Sequence, residues 1–595
     1  MAIKSKYNTK CPLCGGKISI GDWIDNKNSV QKWGHVNCGS VTNKSAKPIN
    51  VLKSVTSSDE EAIVIPVNFV PSKFQENIFQ FIINGKGHAV VEAVAGSGKT
   101  TTIVKALEYI PLALLVELGS ISSPQSYKDL SALEGKEELI AAYLRKYPIA
   151  FLAFNKHIAT ELKKRAPSYV HVSTLHSLGN SILQKKFPGC KLEKDKVGLK
   201  MDDIFPVGKT YKDSEGNEIE TPQGVKVINK TKRYAMRKLV ALCKATLIDY
   251  KDVVAVQQMI DFYGLEIPED IALEVLTNLP KIMSRCKSDT RIIDYDDMLW
   301  LPIVYNLQLE KFHYLLVDEF QDLNNCQIEY VTRSLDDGGR IVGVGDRKQS
   351  LYGFRGADVE AIPRMIKTLN ATVLPLSISY RCPRSHVQLA SGIVPQILAS
   401  DTAVEGSIVS IKYQDFLSKI DVGDMIICRT NAPLIKPAFD AIRRGKKATI
   451  RGRDIGSTLV EFVRRFEADS LSRLDVLMAE YAATEFQKHM DRGRELQADM
   501  VVDQYETVKA IADECKSVEE LVSKLLILFD DSNEGVVFSS VHRAKGLEAR
   551  RVFILRQDLM PHPKAKQPWE QVQEENGQYV AYTRSKEELY FVAKE

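Results

Sequence analysis

No stretch of this 595-residue chain approaches the roughly 20 consecutive apolar residues needed to cross a bilayer, and Met1 to Lys6 carries no apolar signal core. The expectation is a cytoplasmic, intracellular protein with no membrane partner. Cysteine is scarce: there are ten, and seven of them (Cys190, Cys243, Cys286, Cys326, Cys382, Cys428 and Cys515) are scattered singly, which excludes a disulfide scaffold. Charge of one sign is also lacking. A net charge of +4 excludes a uniformly basic coat for nucleic acid, so any basic track must be local, as in the lysine-rich first fifty residues. Internal repeats and long low-complexity tracts are absent, which excludes a solenoid. What remains is a globular composition, 44% hydrophobic, with material for roughly three to five domains.

The three clustered cysteines are informative. Cys11-Pro-Leu-Cys14-Gly-Gly and His35-Val-Asn-Cys38 form two chelating pairs. Tetrahedral closure on Zn²⁺ by Cys11, Cys14, His35 and Cys38 would organise a segment too short to fold alone, and Gly15-Gly16 suits a turn that aims N–H groups at thiolate sulfur. No thioredoxin-like pattern surrounds the pair, which disfavours a redox role.

Residues 1–41 are therefore expected to form a zinc module, and the Ser-, Lys- and acid-rich stretch 42–67 a linker. Apolar runs at 89–92, 150–154, 314–317 and 341–344, separated by helical patterns, predict a parallel doubly wound sheet in a first lobe, 68–177 and 294–372. A second set at 425–428, 536–540, 552–555 and 588–592 predicts a second sheet in 373–456 and 529–595. Residues 178–293 read as a helical insertion with a hairpin around Glu215-Gly-Asn217. Residues 457–528, with Leu459, Phe462, Val463 and Phe466 at helical spacing among many charges, read as a small helical subdomain with solvated faces. The fold class is α/β.

Between the first apolar run and a helical segment lies Ala93-Val-Ala-Gly96-Ser97-Gly98-Lys99-Thr100-Thr101. Gly-rich backbone there converges N–H groups on nucleotide phosphates, Lys99 adds a mobile positive charge, and the Thr100 hydroxyl is a Mg²⁺ ligand. The first glycine of the strict pattern is replaced by Ala93. The run Tyr314 to Val317 delivers Asp318-Glu319-Phe-Gln-Asp322 at the rim where α/β folds bind ligands. There Asp318 suits Mg²⁺ and Glu319 suits orienting and deprotonating the attacking water. After the next run comes Gly345-Asp-Arg-Lys-Gln349, with Gln349 placed to sense the γ-phosphate or the attacking water. Tyr352, Phe354 and Arg355 follow within a few residues, and Phe154 and His176 occupy strand-end loops; such aromatics stack on bases without reading sequence, at roughly 1–3 kcal/mol each. His542 and Lys545 are candidate phosphate contacts from the second lobe.

Together, Asp318-Glu-Phe-Gln-Asp322, Gly345 to Ala357, Ser379-Tyr380-Arg381-Cys-Pro383, Val541-His-Arg-Ala-Lys-Gly-Leu-Glu548 and Val580-Ala-Tyr-Thr-Arg584 resemble, in order, the motifs of superfamily 1 helicases of the UvrD/Rep type. The resemblance spans about residues 70–595 and includes Gln75, similar to an adenine-reading glutamine, Phe151 to Lys156 with Phe154 and Asn155 on the DNA side, and Ser173 to Ser177. It implies two RecA-like lobes closing on ATP, with Tyr380 stacked on adenine, Glu548 on the ribose hydroxyls, and Arg381 and Arg584 reaching the γ-phosphate from the second lobe. Val94 departs from the glycine usual in this group, and the second insertion is shorter than the family's regulatory subdomain. The implied activity is 3′ to 5′ ATP-dependent translocation on single-stranded DNA and unwinding of tailed duplexes by a monomer, with ATP, Mg²⁺ and structural Zn²⁺ as cofactors and a protein partner conceivable through the zinc module. A translocase that strips bound proteins with little unwinding, and an ATP-switched binding scaffold, stay open at this point.

Overall fold

The computed structural model describes residues 70–594 except 209, 213–217, 221–222, 266, 352–360, 492–494, 531–534 and 566–567, together with five short strands among the first 35 residues. The chain divides into two compact units between Ser58 and Asp59, inside the stretch expected as a linker. In the smaller unit Ile3–Lys4, Trp23–Asp25 and Gly34–His35 form an antiparallel sheet, and Thr9–Lys10 pairs antiparallel with Lys17–Ile18. Cys11, Cys14 and Cys38 lie outside the described residues, and of His35 only the backbone is described.

The larger unit is built on two parallel sheets. In the first, six strands lie in the spatial order Thr372–Leu376, Ala89–Ala93, Leu335–Gly345, Phe312–Val317, Ile149–Ala153 and Val170–Thr174. The central strands 149–153 and 312–317 are buried along their whole length, as continuous apolar runs covered on both faces must be. The edge strand 372–376 carries Pro375, tolerated where one ladder is missing. Its pairing with 89–93 puts residues 373–376 in the first sheet, so the crossover to the second lobe begins four residues later than the sequence boundary at 372. The second sheet has seven strands in the order Ser407–Ile411, Ser585–Val592, Ala549–Leu555, Met425–Cys428, Val536–Ser540, Ala448–Arg451 and Phe529–Asp530.

Both insertions are helical, and both merge with the lobe that carries them. Leu239, Val275 and Met283 of the first share one apolar core with Val90, Leu152, Leu315 and Ile341 of the first sheet. Thr210–Lys212 and Glu218–Glu220 pair antiparallel, as a hairpin there requires. Of the second insertion's helices Arg453–Arg464, Leu471–Asp491, Glu495–Ala512 and Val518–Leu528, the first and last pack on the sheet edge at Phe529–Asp530, the middle two pack on other helices, and Leu459, Val463, Leu474, Leu521 and Leu525 share one apolar core with Ile426, Phe538 and Phe553. The apolar stripe that the spacing revealed is covered largely by the insertion's own helices, with the Phe462 and Phe466 ring centroids 5.7 and 5.9 Å from that of Tyr481.

A buried ionic knot ties the first insertion to its lobe. Lys196 Nζ lies 2.6 Å from Asp297 Oδ2, and Lys244 Nζ lies 2.6 Å from Asp294 Oδ2 and 2.8 Å from Asp297 Oδ1. Lys196 also donates to the Cys286 carbonyl at 2.7 Å. Removing one member of such a network strands an opposite charge in a dry interior. Lys244→Met is expected to destabilise the larger unit by about 3–5 kcal/mol, measured as a lowered midpoint in thermal or urea unfolding.

Candidate functional site

The strand Ala89–Ala93 runs into the phosphate loop, which turns into the helix Lys99–Leu107 at Gly98, in the left-handed region with φ 76°. Gly96 also has positive φ, and a Cβ there would lie 2.5 Å from Arg381 Cβ, so only glycine lets the second-lobe crossover approach. Ala93 and Val94 stand where glycines were expected, and both are buried. Val94 and Ala95 pack with Cys382, Val387, Ala390 and Tyr579, so methyl-bearing residues here seat the other half of the molecule. Ser97 Oγ is buried without a hydrogen-bond partner among the described residues, and the loop's helix N-terminus is a ready anion site. Thr100 and Thr101 open the helix; Thr101 Oγ1 accepts from Arg165. These features fit a nucleotide phosphate.

Carboxylates converge beside the loop. Asp318 and Glu319 follow the strand 312–317; Glu319 has φ 48°, and its N–H donates to Asp318 Oδ1 at 2.9 Å. Lys99 Nζ lies 3.3 Å from Glu319 Oε1. Gln321 donates to Glu319 and accepts from the Asp346 N–H at 3.0 Å. Asp322 is paired with Lys545, which arrives from the second lobe. Burial raises the Asp318 carboxyl, and neighbouring Glu319 adds to it. Burial likewise raises Asp322 and Asp346, whose lysine neighbours oppose it only in part. Burial acts the same way on Glu319, but Lys99 and Lys545 outweigh it and hold that carboxylate ionised. Among the described residues no three His, Cys, Asp or Glu side chains form a metal cage. Mg²⁺ needs none, because it is held by one or two carboxylates together with substrate phosphates, and Asp318 and Thr100 fit that role.

The residues expected from the second lobe are distributed differently. Tyr380 and Arg381 sit on the crossover just after the first sheet, where Ile378–Ser379 pairs with Leu398–Ala399, and the Tyr380 N–H donates to the Gly96 carbonyl at 2.9 Å. The Tyr380 ring is 49% exposed, open for stacking. Arg381 Nε lies 2.6 Å from Glu548 Oε2, and Lys586 pairs with the same carboxylate. Arg584 is buried and donates to the carbonyls of Val580 at 2.9 Å and Leu547 at 3.1 Å and to Thr583 Oγ1 at 3.1 Å. Burial and the like charge of Arg381 lower its pKa, yet it stays protonated at neutral pH. Gln75 is buried, with its Oε1 accepting from the Ser72 N–H at 2.9 Å and its amide donating to Thr102 Oγ1 at 2.9 Å.

Of the residues expected on DNA, Phe154 is exposed at the end of its strand, and His176 lines one small cleft with it, Leu152, Val317 and Asp318. Burial lowers the His176 pKa, so its ring is neutral at physiological pH. Tyr295, unforeseen from sequence, is half exposed with its ring centroid 6.5 Å from that of His176. The Asn155 carboxamide oxygen is committed to capping the helix Lys156–Lys163 through Ile158 N–H at 2.9 Å. His542 is pushed down to about 3 by burial with Arg429 and Arg543 nearby, so it meets phosphate only as a neutral ring. Lys545 spans the lobes to pair with Asp322. Gln349 is buried and donates to Asp346 Oδ2 at 2.6 Å. Tyr352, Phe354 and Arg355 lie outside the described residues.

Because a Cβ at residue 96 must push Arg381 away from the loop, Gly96→Ala is expected to lower ATP turnover by about a hundredfold or more, the scale of an ångström-sized misplacement. Steady-state ATPase assays check this, with thermal unfolding as the control for folding.

Comparison with known proteins agrees with this geometry. Residues 74–370 match the UvrD/REP helicase N-terminal domain, and residues 473–595 match the UvrD-like helicase C-terminal domain. The chain is similar to the ATP-dependent DNA helicase Rep of Buchnera aphidicola subsp. Acyrthosiphon pisum, 24% identical over 330 residues that cover 52% of this chain and 43% of that protein. It is also similar to the ATP-dependent DNA helicase UvrD1 of Mycobacterium tuberculosis, 25% identical over 335 residues, covering 53% of this chain and 38% of the relative. A shorter segment of 99 residues is 37% identical to DNA helicase II of Escherichia coli, covering 16% and 14% of the two chains. The chain thus spans less than half the length of each of these relatives. With both family domains matched in order, and with the phosphate loop, acidic rim and crossover arginine assembled between two parallel sheets, the chain belongs to the UvrD-type superfamily 1 helicases.

Proposed function

We propose that the protein is an ATP-driven motor that moves 3′ to 5′ along single-stranded DNA and opens tailed duplexes. The observation that carries this reading is the joining of the phosphate loop, the rim acids and a second-lobe cation across one cleft: Lys99 with Glu319, and Lys545 with Asp322. In this reading Lys99 and the N–H groups of Gly96 to Thr101 hold the phosphates, and Glu319, kept ionised by its lysines, orients and deprotonates water. Mg²⁺, on Thr100 and Asp318, would neutralise charge on the phosphates. Arg381 leaves Glu548 for the γ-phosphate, which frees that carboxylate for the ribose, and Arg584 adds a second guanidinium from the far side. Tyr380 supplies the adenine face and Gln75 the edge contact. Phe154, His176, Tyr352, Phe354 and Arg355 form the grip on the strand.

Lys99→Ala is expected to abolish turnover while leaving binding of fluorescent oligo(dT) within about threefold, since the strand contacts are made by other groups. Strand displacement from 3′-tailed but not 5′-tailed duplexes supports the polarity, and opening of 5′-tailed substrates alone overturns it. Release of streptavidin from a biotinylated strand without duplex opening would favour the protein-stripping motor, and ATPase indifferent to DNA the switched scaffold.

For the smaller unit we propose structural Zn²⁺ on Cys11, Cys14, His35 and Cys38. Two paired strands, 9–10 and 17–18, bracket the first chelating pair in sequence, and 34–35 ends on the His of the second, which supports this set. One zinc per chain by elemental analysis, lost in Cys11→Ser, is the expected result; full activity in zinc-free protein would count against it.

A further inference from the structure

The helix Pro568–Tyr582 belongs to the second lobe, yet it reaches two separate loops of the first. Its Tyr579 is fully buried. The Tyr579 hydroxyl accepts from the Ala95 N–H of the phosphate loop at 2.8 Å and is 3.4 Å from Asp346 Oδ2, to which it donates. That carboxylate oxygen also receives Gln349 Nε2 at 2.6 Å, and Asp346 Oδ1 receives the Lys348 N–H at 3.1 Å. One helical turn earlier, Asn576 Nδ2 donates to the Ser350 carbonyl at 2.9 Å. The next residue, Leu351, is buried among Met425, Ile427, Val541 and Ala544 of the second lobe.

A hydroxyl has one proton and can accept while it donates, so a single buried atom joins the phosphate loop, the acid that fixes Gln349, and the second lobe. The loop so held leads in sequence directly to Tyr352 and Phe354. A displacement of the phosphate loop relative to the second lobe therefore has a bonded route to 346–351, through Tyr579 and Asp346. The Tyr579 ring also fills the apolar cluster with Val94, Ala95 and Val387, so the hydroxyl is held by packing and is free to act only along these two bonds.

We propose that Tyr579 is a positioning residue whose hydroxyl transmits the state of the phosphate loop to the 346–351 loop, so that strand binding and ATP turnover are felt at each other's site. This rests on the reading of the protein as a DNA-stimulated ATPase. The test is Tyr579→Phe, which keeps the ring and removes the joint, assayed for ATP turnover with and without oligo(dT). The stimulation factor is expected to fall about tenfold, the size of one charge-assisted hydrogen bond expressed as a rate ratio, with little change in the thermal midpoint and in KM for ATP without DNA. Asp346→Asn, assayed alone and combined with Tyr579→Phe, separates coupling from packing: the double variant should be no worse stimulated than Asp346→Asn alone. Turnover scaled equally with and without DNA in Tyr579→Phe, or additive losses in the double variant, would overturn the proposal. If the unaltered protein is not stimulated by oligo(dT), the functional reading itself fails and the proposal falls with it.

Discussion

Three buried carboxylates along one rim, Asp318, Asp322 and Asp346, with partly buried Glu319 between them, set the terms on which the rest of the molecule is built. Like charges so close cannot stay ionised in a dry site without cations. The first lobe supplies one, Lys99, and the second supplies Lys545. The acidic rim is therefore complete only with both lobes present, and the apolar contacts of Val94 and Ala95 with the crossover, and of Leu351 with the second core, hold the geometry in which that compensation works. The departure from the glycine-rich pattern at Val94 belongs to this arrangement: the loop proposed to hold phosphate is also an apolar seat for the opposing half.

How much was legible depends on what surrounds each residue. Strands such as 312–317 announced themselves because both faces are covered and the sequence is apolar throughout. Strands 372–376 and 407–411 did not, since each is a sheet edge, one broken by Pro375 and the other half exposed, with Ile408 and Val409 facing outward in part. The stripe Leu459, Phe462 and Val463 lies on the helix Arg453–Arg464, with Phe466 just beyond its end, but periodicity does not say what covers a face, and the cover comes from neighbouring helices, Tyr481 among them, and from the sheet edge at Phe529–Asp530. Rim acids were legible because they follow buried runs. Tyr579 was not, because its partner Ala95 lies 484 residues away in sequence and a tyrosine in a helix looks like core. The pairing of Lys545 with Asp322 was hidden for a similar reason: a loop lysine gives no sign of which protein carboxylate it will meet.

The crossover at 377–381 is economical in what it joins. It leaves the first sheet, bonds to the phosphate loop through Tyr380 and Gly96, and carries Arg381 to Glu548 in the second lobe. Residues on a segment so short share one rigid displacement. A movement of the lobes would change the exposure of the Tyr380 ring and the pairing of the Arg381 guanidinium together, while Arg584, fixed to carbonyls of its own lobe, would move with the second sheet.

Glu319 carries a cost of its own. A non-glycine residue at φ 48° gives up about 1–2 kcal/mol against ordinary backbone, and here that conformation lets its N–H cap Asp318 while its carboxylate faces Lys99. Glycine or asparagine would sit more comfortably on the same backbone. If Glu319 serves the water as proposed, folding and turnover pull in opposite directions at this single position.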